Sequence, residues 1–198
     1  MVEASLALLR NGGADALSMR KVAAELGVSV STVYWWAGNK EQLLGMVADA
    51  VHGTIELPSP DPATPWVDQL RIYAERSYEA YRAHAFVLPI ITRGVLTGPR
   101  TLDVVECGLS ILEHAGFARV DAVASQSALA ALILGSVRPA GYDDGRDNWT
   151  QGHRLDELDA TRWPAIVDAA GDLHDVDDDA RFRYALDVFL AGLATRAP

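Results

Sequence analysis

The chain has 198 residues, 49% of them apolar, which is ordinary for a globular protein and leaves room for one or two domains. No apolar run approaches the roughly 20 residues of a membrane helix, no signal-peptide pattern opens the chain, and the single cysteine, Cys107, excludes an internal disulfide and fits a reducing cytoplasm. The net charge of −10 speaks against a nucleic-acid partner, but residues 1–53 hold four basic groups (Arg10, Arg20, Lys21, Lys40) against five acidic ones, so most of the acidity lies downstream.

Residues 2–10 place Val2, Leu6 and Leu9 on one helical face, and Asn11-Gly12-Gly13 stops that helix. Ser18 precedes MRKVAAEL as an N-cap; Met19, Val22, Ala23 and Leu26 form the buried stripe, and Gly27 supplies the left-handed stop. Ser29 caps a third, short helix, VSTVYWW, which Gly38 closes. Asn39 caps a fourth, KEQLLGMVADAVHG, with Leu43, Met46, Val47 and Ala50 apolar, and Gln42 is spaced to reach back to the Asn39 backbone. Pro58, Pro60, Pro62 and Pro65 make residues 54–65 an extended linker, which divides residues 1–53 from residues 66–198.

From Trp66 the period is helical again, with Leu70, Tyr73, Ala74, Ser77 and Tyr81 on one face. A shorter helix covers about 84–93, and Leu102, Val105, Leu109 and Leu112 step by three and four through 99–115. Residues 119–138 form a long helix rich in small side chains: Ala122, Ala124, Ser127, Ala128, Ala131 and Gly135. Residues 139–159 have turn formers and no periodicity, predicting a mobile loop. Thr161 caps a helix with Pro164 in its first turn. The last helix, about 177–195, opens on Asp177, Asp178 and Asp179, suited to the positive end of its dipole, and carries Phe182, Leu186, Phe189, Leu190 and Leu193. With no strand pattern and no repeat, the fold class is all-α.

The stretch VSVSTVYWWAGNKEQLL (28–44) sets three aromatics in a row, whereas core helices space them three or four apart. On so short a helix at least one ring meets solvent. The turn at Gly27-Val28 joins two short helices as a helix-turn-helix, whose second member can lie in the major groove. Ser18, Ser29, Ser31, Thr32, Tyr34 and Lys40 offer donors to phosphate, and Val30, Trp35 and Trp36 offer apolar contact to thymine methyls or sugars; Arg20 adds a cation.

Residues 16–44, ALSMRKVAAELGVSVSTVYWWAGNKEQLL, resemble the DNA-binding domain of the tetracycline-repressor (TetR) family of transcription regulators. The likeness rests on the LSMRKVAAELGVS entry, on Thr32-Val33-Tyr34 and on the Asn39-Lys40 turn. Residues 89–117 and 181–193 resemble the regulatory domain of repressors close to the tetracycline repressor itself. The resemblance implies an N-terminal helix-turn-helix domain and a C-terminal helical ligand-binding and dimerisation domain. It assigns Ser18, Tyr34 and Lys40 to phosphates and Val30, Ser31 and Ser29 to bases. Relatives usually carry basic residues before the first helix; each phosphate contact missing here lowers the salt slope by about 0.9.

The expected function is a ligand-responsive repressor that binds a palindromic operator as a homodimer and is released by a small molecule, with no cofactor and no membrane partner. The best dimer surface is the pair of long helices, through Ala124, Ala128 and Ala131 and through Phe182, Phe189 and Leu193. Polar residues on apolar helices are the pocket candidates: Tyr73, Ser77, His84, Arg93, Glu106, Ser110 and Gln126. The five histidines are scattered without ligand spacing, so no metal is expected; Cys107 reads as a buried inert thiol, and Asp175–Asp179 as a solvated helix start. No nucleophile–base pair supports an enzyme. The alternative, motivated by the acidity and the missing basic arm, is a dimeric ligand-binding protein that has lost specific DNA binding.

Overall fold

In the computed structural model, which describes residues 1–59, 61, 63–93, 98–138, 158–175 and 177–197, helix follows helix, and no strand occurs among the described residues. Most of the loop expected over 139–159 lies outside them. Helix α1, Val2–Ala16, is interrupted at the glycines that the sequence marks: Gly12 and Gly13 leave helical geometry, and a further short turn follows. Helices α2 (Met19–Leu26) and α3 (Val30–Ala37) are bounded by the residues the sequence marks. The Ser18 hydroxyl accepts the Lys21 N–H, Gly27 is left-handed at φ 65°, and the Ser29 hydroxyl accepts the Thr32 N–H. Helix α4, Lys40–His52, starts with the Asn39 side chain accepting the Gln42 N–H at 2.8 Å. The reciprocal half of that box does not form, because the Asn39 N–H is already given to the Ala37 carbonyl. The Gln42 carboxamide instead lies over the bare Cα of Gly38.

The described residues of 54–65 form no helix and are tied down. Ile55 is buried, Arg76 donates to the Glu56 carbonyl, and the Gln69 carboxamide donates to the Asp61 and Thr64 carbonyls. Helix α5, Trp66–Ala83, buries the predicted face of Leu70, Tyr73, Ala74, Ser77 and Tyr81. A 3-10 turn, Ala85–Val87, and a one-turn helix α6, Leu88–Ile91, stand where one short helix is predicted. Helices α7 (Pro99–His114), α8 (Arg119–Ser136) and α11 (Asp178–Ala194) pack with α5 into the body; α9 (Pro164–Asp168) and α10 (Ala170–Asp175) are short pieces before α11. One apolar cluster runs from Leu9, Val22, Val33 and Val47 in the N-terminal head to Leu70, Ile111, Leu129 and Leu186 in the body.

Several sequence expectations are corrected. Helix α7 buries Thr101, Val104, Cys107, Gly108 and Ile111, whereas Leu102 is 54% exposed; of the predicted stripe only Leu112 is fully inside. α7 is apolar on more than one side, and close packing selects the side with smaller residues. Phe182 and Leu193, expected at a dimer interface, are buried in the subunit's own core, where the Phe182 ring stacks on Tyr78 at 4.0 Å; Phe189 is half-buried. Met46 is exposed. Thr161 caps nothing: its N–H and hydroxyl both turn to the Asp159 carboxylate. The acidic start of α11 is engaged, not merely solvated. Asp177 accepts the Ala180 N–H, Asp178 pairs with Arg138, and Asp179 accepts from Arg82 and the Tyr78 hydroxyl.

At Gly27 a Cβ would meet nothing within 4 Å, so substitution there isolates the backbone cost. Gly27→Ala is expected to destabilise by about 1 kcal/mol through the left-handed φ alone, read from urea unfolding.

Candidate nucleic-acid interface and ligand cavity

The recognition candidate is α3. Val33 and Ala37, with the half-buried Val30, fasten it to the head, and its outer side is exposed. Trp35 is 83% exposed, Tyr34 50% and Trp36 44%, so the consecutive aromatics do project outward, and Trp35 has no core to occupy. At the helix start the Ser29 hydroxyl lies 2.8 Å from the hydroxyls of both Ser31 and Thr32 while it caps the Thr32 N–H. Hydroxyls bonded in this way are held in fixed directions, as base or phosphate readers need to be. Ser31 and Ser29 are exposed; Val30 and Thr32 are half-buried. Arg20, Lys21 and Lys40 are exposed, and Ser18 is half-buried as the α2 cap.

The second feature is a cavity of about 740 Å³ bounded by α4, α5, α6, α7 and α8. Its walls are mainly apolar, with Leu44, Ala48, Ile90, Val104 and Ile133 among them. Of the seven pocket candidates, Tyr73, Ser77, Arg93 and Gln126 line it. His84 does not: its Nδ1 lies 2.9 Å from the Ala80 carbonyl. Glu106 and Ser110 bond to each other on the outer side of α7. His52, Tyr81 and Thr101 also line the cavity but were missed. Their signal was the α4 stripe Leu44-Ala48-His52, four residues apart, beside the predicted stripe of α5.

The polar groups at the cavity are few and incompletely paired. The Gln126 Nε2 donates to the Tyr73 hydroxyl at 2.8 Å, which leaves the phenolic proton for another acceptor. Burial pushes the Tyr73 pKa up to about 12, so the phenol is neutral. Neither Gln126 Oε1 nor Ser77 Oγ has a partner, although Gln126 is 7% and Ser77 1% exposed. A buried polar atom without a hydrogen bond costs free energy, which a bound molecule with the complementary group recovers. The Gln126 carboxamide lies where a Cβ of Gly108 would be, so the bare Cα of α7 makes room for it.

His52 is buried, with Nδ1 2.7 Å from the Ala48 carbonyl and its ring edge-on to Tyr81 at 5.7 Å. Burial holds its pKa below 6.5, outweighing the Ala48 carbonyl and Asp49, which act the other way. Cys107, also buried, points its thiol at the Pro58 carbonyl, and burial raises its pKa. Among the described residues no three His, Cys, Asp or Glu side chains gather as a metal site, and no helix is long and apolar enough to cross a membrane.

Two outcomes follow from this geometry. The folded state keeps His52 neutral while the unfolded chain protonates it, so His52 costs stability as pH falls through 6.5 and nothing above it. His52→Gln is expected to flatten that part of the pH dependence, read as the difference between wild-type and variant urea midpoints at pH 5.5 and 7.5. Gly108→Ala is expected to displace the Gln126 carboxamide and destabilise by about 1–3 kcal/mol, measured by the same unfolding.

Comparison with known proteins matches the same two regions. The family model for bacterial regulatory proteins of the tetR family covers residues 1–47, and that for the tetracyclin repressor-like C-terminal domain covers residues 58–197. The class A tetracycline repressor protein from transposon 1721 of Escherichia coli is 31% identical over 206 residues, 99% of this chain and 89% of that protein. An HTH-type transcriptional regulator of Saccharopolyspora erythraea is 30% identical over 137 residues, 69% of this chain; the match spans only 58% of that relative's length. The TetR family protein ActR of Streptomyces coelicolor, in complex with (S)-DNPA, has a TM-score of 0.85 at 28% identity, covering 100% of this chain and 96% of that one. Its complex with actinorhodin gives 0.83 at 29% identity, covering 99% and 95%. The chain belongs to the tetR family of bacterial regulatory proteins, and is a ligand-responsive, DNA-binding transcriptional regulator.

Proposed function

We propose that this chain is a cytoplasmic repressor that binds a palindromic operator as a homodimer and lets go when a bulky, largely apolar small molecule fills the cavity. The observation that carries the reading is the cavity itself: 740 Å³ of mainly apolar wall, with two buried polar atoms unpaired, built partly from the helix that follows the reading helix. The effector brings a donor for Gln126 Oε1 and a polar partner for Ser77, with the Tyr73 hydroxyl free to donate. The ActR complexes with (S)-DNPA and actinorhodin support a site of this kind in a protein of similar fold.

In this reading residues 1–53 read DNA, 54–65 connect and 66–198 bind effector and partner. Tyr34, Ser18 and Lys40 hold phosphates, with Arg20 beside them; Ser29, Val30 and Ser31 read bases, and Thr32, Trp35 and Trp36 border the groove. The dimer surface is the exposed side of α8 and α11. Val120, Val123, Tyr184 and Val188 stand out from the subunit there, with the small, exposed Ala124, Ala128 and Ala131 between them allowing close approach. A two-fold dimer with recognition helices roughly 34–36 Å apart fits successive major grooves, and an effector that prefers another spacing needs about 5.5 kcal/mol of preference to turn 99% occupancy into 1%.

Fluorescence anisotropy on the DNA immediately upstream of the gene for this chain, across a salt series, tests the reading. Wild type is expected to bind tightly and with steep salt dependence; Tyr34→Ala is expected to weaken binding about tenfold with the salt slope unchanged, since a neutral phenol displaces no counterion, whereas Lys40→Ala is expected to lower the slope by about 0.9 for each subunit. A folded dimer that binds no such DNA at low salt would favour the ligand-binding protein that has left its operator, a reading that the net charge of −10 keeps in view.

A further inference from the structure

Helix α7 is capped from elsewhere in the chain. Its N-cap residue, Gly98, has no side chain, and its backbone is extended at φ −142°, ψ 162°, which any residue adopts. Conformational freedom therefore does not explain the glycine. Space does: a Cβ at Gly98 would fall on the carboxyl group of Asp49, in α4. Asp49 Oδ1 accepts the Thr101 N–H at 2.8 Å and the Thr101 hydroxyl at 3.1 Å. Thr101 is the third residue of α7, whose N–H a cap residue's own side chain ordinarily takes. The carboxylate also sits at the positive end of the α7 dipole. A residue of the DNA-reading head thus caps a helix of the body.

Thr101 is 5% exposed and Asp49 half-buried, so this charge-assisted bond is partly shielded from water. It is also next to the cavity. Thr101 lines the cavity, and so do Ala48 and His52, one residue before and three after Asp49 in α4. His52 Nδ1 is 3.2 Å from the Thr101 hydroxyl oxygen. Among the described residues the head otherwise meets the body through apolar packing and the Arg10 guanidinium over the Phe86 ring at 5.3 Å, contacts that tolerate sliding. A short carboxylate–amide bond does not.

We propose that Asp49 is a positioning residue for DNA binding: by capping α7 from α4 it fixes the attitude of the helix-turn-helix head against the body. This rests on the regulator reading above. A purely structural role, stabilising α7, is separable because the cap can be returned to its own helix. Asp49→Ala would keep a Cβ 2.6 Å from where a Cβ of Gly98 stands, so Asp49→Gly is the variant that vacates the space, and Gly98→Ser in that background supplies a local hydroxyl cap for the Thr101 N–H. The double variant keeps α7 capped and cuts the tie to α4.

The measurements are thermal unfolding, anisotropy on the upstream DNA, and spin-label distances between Glu25→Cys and Glu113→Cys in a Cys107→Ala background diluted with unlabelled chain. Asp49→Gly is expected to lose thermal stability and the double variant to regain the part that the α7 cap supplies. Both are expected to bind DNA about tenfold more weakly than wild type, the scale of one hydrogen bond to a charged group. Their label distances are expected to spread. Asp49→Asn, which keeps an acceptor for the Thr101 N–H, is expected to stay near wild type in all three. DNA affinity within twofold of wild type in the double variant, with an unchanged distance distribution, would overturn the proposal. Should wild type itself not bind this DNA, the operator reading fails separately, and the distance distribution alone decides for or against Asp49.

Discussion

Helix α4 has to satisfy two packing partners at once, and the rest of the molecule is arranged around that constraint. Leu43, Val47 and Val51 recur every four residues, as do Leu44, Ala48 and His52 one position on, so the buried face of α4 is wider than one core requires. The second row lines the cavity, and the first lies about 100° further round the helix. α4 touches α1 and α3 in the head and α5, α6 and α7 in the body. Helix α3 is held through Val33, Ala37 and the half-buried Val30, chiefly against α2, and by its turn into α4. Its direction therefore follows α2 and α4 together, and α4 is also a wall of the cavity.

The helix ends of the head were legible because each is a local device. Ser18, Gly27, Ser29, Gly38 and Asn39 act within three or four residues of themselves, and a single sequence displays that spacing. The start of α7 was not legible, since Gly98 looks like any loop glycine and its capping carboxylate lies in another helix. Nor was the buried side of α7. Leu102 outranks Thr101 and Gly108 in hydrophobicity, yet α7 approaches α8 closely enough to seat the Gln126 carboxamide on Gly108, and bulk would prevent this. α11 misled in the same way, with apolar side chains on two sides; Phe182 went inward to Tyr78 while Tyr184 and Val188 stayed out.

The pocket candidates separate along a similar line. Tyr73, Ser77 and Gln126 could be chosen as polar residues on apolar faces, and the structure brings them to one cavity. Glu106 and Ser110 satisfied the same pattern but bond to each other outside, because the pattern does not say which side of a two-sided helix faces in. His52 escaped notice as a pocket residue because it looks like a helix-terminal cation. Its burial and its bond to the Ala48 carbonyl make it a neutral wall of the cavity instead.

The sharing of α4 bears on how a ligand can be felt at DNA. In the proposed reading a molecule in the cavity touches side chains of α4 and α7 directly, so a preference for one spacing of those helices biases the head that α4 carries. Linkage makes the effect reciprocal: whatever free energy the ligand gains from the altered spacing, DNA loses, and DNA weakens the ligand by the same factor. No long relay of side chains is required in the proposed reading, because α4, Lys40–His52, both lines the cavity and packs on α1 and α3. Lys40 makes the economy plainest: it follows the Asn39 cap at the reading helix's exit, where a phosphate contact is expected, and it also borders the cavity.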